Sequence, residues 1–224
     1  MGGVRQPVGT KGSLKWMQIA VNDRPDVLDE AIRQSSGIVS PITWQSPLRN
    51  DGYAEYRDAA FLEKIDCGHL KGALEEFWPQ RGPQWDGLAM AGSTRLLVEA
   101  KSHIAEMRSR PSAAGEVSKA RISKSLAETS DHLGATPSVP WGPHYYQLAN
   151  RLAHLWFLQR NSVDAKLILL NFLDDTEQGG PGSGAEWDAA YKVAGHVLGL
   201  PAHHKLSGAV AHVSLSIRTL SRVE

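Results

Sequence analysis

The chain has 224 residues, 24 Lys and Arg against 24 Asp and Glu, and 42% hydrophobic residues. That describes a folded α/β domain with decorations and excludes a globally disordered chain. Zero formal net charge excludes holding nucleic acid by bulk positive charge. A single cysteine, Cys67, excludes an internal disulfide and a cysteine-based zinc cluster, and fits a reducing, cytoplasmic location. No run of about 18 apolar residues marks a membrane span, and the first seven residues lack the apolar stretch of a signal peptide.

In chain order, residues 14–21 (LKWMQIAV) read as a first strand. Asp23 and Pro25 then read as the cap and first turn of a helix over about 26–34, stopped by Gly37. Residues 38–50 carry two prolines and read as an extended connection. Asp51 can cap a helix over about 53–65, with Tyr53, Tyr56, Ala60, Phe61 and Ile65 at helical spacing and Gly68 after it. Residues 73–78, 84–89 and 95–103, separated by Pro- and Gly-containing turns, read as three strands of a meander. A polar helix is expected over about 115–133 and a second over about 144–160. Residues 166–173 (KLILLNFL) have the continuous apolar character of a central buried strand. A GGPGSG loop, a helix over about 186–198 and a strand over about 209–219, with Val213, Leu215 and Ile217 on one face, complete the chain.

The chemistry concentrates on the third meander strand. Strand side chains alternate, so Glu99, Lys101 and His103 share one face while Leu96, Val98 and Ala100 point the other way, into the core. A charged row on an apolar strand is costly unless its charges are paired, hydrated or bound to metal. Spacing alone is weak evidence, because an acidic-x-Lys pattern occurs twice, at Glu99-x-Lys101 and Asp164-x-Lys166. Context favours the first. Asp86 lies 13 positions before Glu99 on the preceding strand, where a hairpin brings the two together. Two such carboxylates supply hard oxygen ligands suited to Mg²⁺ or Mn²⁺.

Asp86, twelve intervening residues and then Glu99-Ala100-Lys101 resemble the PD-(D/E)XK nuclease superfamily, with Trp85 where that motif has proline. The expected order of helix, motif-bearing meander, helix and strand is similar too, over a core of about 51–173. Residues 1–50 would then be an N-terminal strand-helix extension and 174–224 a C-terminal helix-strand extension of one domain. The resemblance implies a restriction-endonuclease-like mixed sheet with helices on both faces, and metal-dependent phosphodiester cleavage, of DNA before RNA. It implies Asp86 and Glu99 as ligands of Mg²⁺ (or Mn²⁺), the Ala100 carbonyl as a further donor, and Lys101 as the group that orients water and offsets charge in the transition state. It also implies an acidic residue from the first core helix, here Glu55 with Glu63 behind it. On the helix over 144–160 it implies a polar residue near the scissile phosphate, Gln147 ahead of Arg151 and His154. Cutting both strands of a duplex would call for a homodimer. The rival reading is a catalytically silent nucleic-acid- or protein-binding module on the same fold.

Other signals carry less. The GGPGSG loop lacks the Lys-Ser/Thr of a phosphate-binding P-loop, and His196, His203, His204 and His212 lack zinc-site spacing. Trp16, Trp78 and Trp156 read as core, while Trp85 and Trp141 flank the expected cleft. Residues 101–124 hold six basic residues (Lys101, Arg108, Arg110, Lys119, Arg121, Lys124) against Glu106 and Glu116, a local surplus beside the motif strand.

Overall fold

The structure is a computed structural model that describes residues 3–108 and 114–221. Arg110, one of the basic surplus, lies outside the described residues. Its centre is a five-stranded mixed sheet. In chain order the elements are β1 (Gly3–Val4), α1 (Gly12–Asn22), α2 (Pro25–Ser36), β2 (Ile42–Ser46), β3 (Glu55–Tyr56), α3 (Asp58–Lys64), α4 (Lys71–Phe77), β4 (Gly87–Ala91) and β5 (Thr94–Lys101). Then follow α5 (Glu116–Leu133), α6 (Tyr146–Arg160), β6 (Ala165–Leu173), α7 (Gly184–Val197), β7 (Val210–Ser216) and a short α8 (Ile217–Leu220). The sheet order is β2-β4-β5-β6-β7, and β1 pairs with β3 in a separate two-stranded ribbon. The first three strands run antiparallel, and β6 and β7 add in parallel through helical crossovers.

Each face of the sheet is covered. Leu96, Val98 and Ala100 of β5 join Ile168, Leu170 and Phe172 of β6 in a core under α1 and α2. Leu97, Leu167 and Leu169 point to the opposite core, under α3 to α7. This two-sided burial explains why β6 is an almost unbroken apolar run.

Four expectations change. Residues 14–21 form α1, not a strand, because Trp16, Met17, Ala20 and Val21 are buried at helical spacing on the sheet. Residues 73–77 fall in α4, whose buried Leu74 and Phe77 lie three apart and whose C-cap is Trp78, and the meander takes β2 as its first strand instead. That moves a core strand into the segment expected to be an N-terminal extension. The helix over 53–65 is interrupted: Tyr53 and Asp58 have positive φ (52° and 54°), Glu55–Tyr56 is extended, and only Asp58–Lys64 is helical. Finally, β7 ends at Ser216, so Val213 and Leu215 pack with Ala211 in the sheet core while Ile217 begins α8. Gly87 is packed beneath α1, since a Cβ there would meet Met17 Cε, with Trp44 at 3.2 Å and the Val98 Cβ at 3.3 Å.

Candidate active site

The register of β4 against β5 builds the site. Gly87 pairs with Val98, so Asp86, one residue earlier, lies across from Glu99. Strand β4 begins only at Gly87, and the Asp86 carboxylate takes over its hydrogen bonding: the Ala100 N–H donates to Asp86 Oδ2 at 2.8 Å. Alternation sends Glu99 and Lys101 to the α6 side, opposite Val98 and Ala100. Both are buried, Glu99 at 2% exposure.

A charge on a covered face must find partners, and helix α6 supplies them. Lys101 Nζ donates to Glu99 Oε1 and to Gln147 Oε1, both at 2.8 Å. Arg151, one turn beyond Gln147 and 3% exposed, donates Nε to Glu99 Oε2 at 2.6 Å and Nη2 to the Gln84 carbonyl at 2.7 Å. Its guanidinium lies over the Trp85 ring, 4.5 Å from the centroid. Among the described residues, the Trp85 indole N–H below it has no hydrogen-bond partner. Glu55 joins from the other side, its Oε2 accepting from Gln84 at 2.6 Å and from Gln6 at 3.0 Å. Glu55, Gln84, Asp86, Gln147 and Arg151 line an open cleft of about 430 Å³.

The carboxylates differ sharply in proton affinity. Burial pushes Asp86 well above the usual range, and the neighbouring Glu99 and Glu55 charges push it further. Burial also raises Glu55. Burial would raise Glu99 as well, yet the Arg151 and Lys101 charges outweigh it and hold this carboxylate low. Both cations pair with Glu99, so Asp86 and Glu55 line the cleft without an ion pair among the described residues.

The structure thus brings Asp86, Glu99, Lys101, Glu55 and Gln147 together. Glu55 arrives on β3 and not on a helix. His103 lies beyond the end of β5 and turns to Glu106, with Nε2 at 3.2 Å. Glu63 lines a different cavity. His154 is buried among Phe61, Phe77, Trp78 and Trp85. Trp141 is structural, its indole donating to the Leu198 carbonyl at 2.8 Å. Of the described basic residues in 101–124 only Lys101 enters the site; Arg121 reaches the Glu75 carbonyl at 2.7 Å and Lys124 faces Glu128 at 3.8 Å.

Sequence reasoning undervalued Arg151 and did not single out Gln84, Gln6 or Asn171. The signal for Arg151 was its position four residues after Gln147, on the same helix face. Asn171 is paired in register with Lys101 and bonded to Tyr191 at 3.1 Å, so it carries the polar face on to β6.

Among the described residues, no group of three or more His, Cys, Asp and Glu side chains is arranged to hold a metal ion. Asp86 lines the open cleft and Glu99 lies across from it, and Mg²⁺, which keeps several waters, takes one or two protein carboxylates of this kind. Glu99 would have to give up one of its two cationic partners to serve. Compared with protein-family models, with curated proteins and with solved structures, the chain matches none.

Proposed function

We propose that the protein is a metal-dependent nuclease of PD-(D/E)XK type, hydrolysing phosphodiester bonds of nucleic acid, DNA before RNA. The observation that carries this reading is the placement of Asp86 across from Glu99, with Lys101 on the same face and its ammonium held against Gln147 of α6. The order of α1 and α2, the antiparallel β2-β4-β5 unit, α6 and parallel β6 is helix, motif-bearing meander, helix and strand, but it begins in the segment read as an N-terminal extension and has α3 and α4 inserted between its first two strands.

Asp86 and Glu99 would hold Mg²⁺ or Mn²⁺. Such an ion polarises a phosphoryl oxygen and lowers the pKa of bound water. Lys101 has three N–H donors, of which Glu99 and Gln147 take two. The third has no partner among the described residues and would orient a water or donate to a phosphoryl oxygen. Arg151 holds Glu99 in position from the opposite side. Glu55, tethered by Gln84 and Gln6, keeps the mouth acidic.

The test is cleavage of single- and double-stranded DNA and of RNA with Mg²⁺, Mn²⁺ or EDTA. Product should appear only with metal and should vanish in Lys101→Ala and in Asp86→Ala; cleavage surviving both substitutions overturns the reading. One observation favours the rival, a silent binding module: both Glu99 oxygens are already neutralised by Lys101 and Arg151. Under that rival, nucleic acid or protein binds with EDTA present and no product forms with any metal.

A further inference from the structure

A second cavity, of about 480 Å³, lies beside the cleft, between α3, α4 and the turn after α4. The two share their walls along the chain. Glu55 lines the cleft and Arg57 the cavity; Pro83 lines the cleft and Gly82 the cavity; Arg151 lines the cleft and His154, one turn on, the cavity.

Its inner wall is unusual. His154 is 1% exposed, and its Nδ1 faces the Asn150 carbonyl at 2.9 Å, which makes Nδ1 the protonated nitrogen and leaves a lone pair on Nε2. Burial keeps the ring neutral, with its pKa lowered to about 3. Among the described residues, Nε2 has no hydrogen-bond partner. Trp78, 3% exposed, packs edge-on to His154 with ring centroids 4.8 Å apart. Its indole N–H likewise has no acceptor among the described residues. One acceptor and one donor therefore stand on an aromatic wall of the cavity, unpaired among the described residues.

The rim carries Arg57, Lys71 and Arg81 against Asp58, Glu63 and Glu75, so net charge does not select the ligand. The Asp58 carboxylate is already engaged by the N–H groups of Arg81 and Gly82, at 3.2 and 2.9 Å. Arg57 makes only a 3.8 Å contact with Asp58, and among the described residues the Arg81 side chain has no ion pair. These two arginines adjoin, along the chain, the segments that line the cleft.

We infer that this cavity is a nucleobase subsite: one base donates an N–H to His154 Nε2 and accepts from Trp78 Nε1, while its phosphate is held by Arg57 and Arg81 on the cleft side. Its place in a cleavage reaction rests on the nuclease reading; its ability to take a nucleotide does not. The base belongs either to a free nucleotide or to a strand crossing the cleft, and the chemistry is the same.

The experiment is calorimetric titration of the full chain in EDTA with nucleosides, nucleoside 5′-monophosphates and a short single-stranded oligonucleotide. Saturable binding is expected. It should weaken about tenfold in His154→Phe, the effect of one lost hydrogen bond, and recover in part in His154→Gln, which restores an acceptor. Arg81→Asn suits the left-handed backbone at φ 64°. It should weaken monophosphate binding several-fold and leave nucleoside binding unchanged. If His154→Phe does not fold, Trp78→Phe and Arg81→Asn carry the test. Equal affinity for monophosphate and oligonucleotide identifies a free nucleotide as the ligand, and tighter oligonucleotide binding identifies a strand. No saturable binding to the wild type, or wild-type binding by all the variants, overturns the subsite. Nucleotide binding without metal-dependent cleavage keeps the subsite and removes the nuclease reading; cleavage without nucleotide binding does the reverse.

Discussion

Strand β5 has two faces of the same backbone. Leu96, Val98 and Ala100 meet α1 in a wholly apolar core, while Glu99 and Lys101 meet α6 in a buried network of charges. Apolar packing is non-directional and tolerates change of shape at moderate cost. A buried charge network is exacting, because removing one member strands the others. Well-packed hydrophobic residues in place of a buried ion pair are often at least as stable, so stability is a weak reason for charges on the α6 face. Function is a stronger one.

The largest effect should come from breaking the charged face. Glu99→Ala leaves Lys101 and Arg151 buried without their anion, and should cost about 3–5 kcal/mol in chemical denaturation. Adding Arg151→Met should recover part of that loss, whereas independent effects would simply add. On the apolar face, Leu96→Ala should cost about 2–5 kcal/mol through the cavity it leaves. That loss should change little with pH or salt; a strong salt dependence would erase the contrast between the faces.

The next two effects depend on pH and have opposite signs. His154 titrates near 6.5 when unfolded and near 3 when folded, so between these values the unfolded chain binds the extra proton. Stability therefore falls as pH drops through this window, by up to about 1.4 kcal/mol per pH unit from this group. His154→Gln should flatten that limb of the stability curve. Asp86 is raised when folded, so its contribution is complete below the unfolded carboxylate range and is lost as pH rises through its folded value. Asp86→Asn should consequently raise the thermal midpoint near neutral pH while removing any stabilisation by Mg²⁺ or Mn²⁺. In the wild type, metal binding should release protons and tighten with increasing pH, a dependence readable by titration in buffers of different ionisation enthalpy. Smallest of all, Lys124→Gln breaks only an exposed 3.8 Å pair with Glu128 and should change stability by about 0.5 kcal/mol or less. It should leave cleavage unaltered, since α5 supplies none of the cleft's lining; a large loss there would restore the local basic surplus to the substrate path.

Legibility in the sequence followed the range of the forces involved. Helices α2, α5, α6 and α7 and strands β5 and β6 were readable because caps and hydrophobic period are local. Residues 14–21 and 73–78 were not, since a short apolar run fits a strand or a helix until the surface it covers is known. Within the site, alternation was enough to place Glu99 and Lys101 on one face. It was silent about Arg151, which meets Glu99 from 52 positions away, and about Glu55, whose element was misread although its position was not.

By itself, then, the sequence determined the side-chain parity of β5, the hairpin distance from Asp86 and the helix that carries Gln147, because each is set by backbone period and by turns between neighbours. Tertiary structure alone decided which cation meets which carboxylate, that β2 completes the meander, and that His154 and Trp78 line a second cavity. Those outcomes depend on how separately formed elements pack, and no local period encodes the packing.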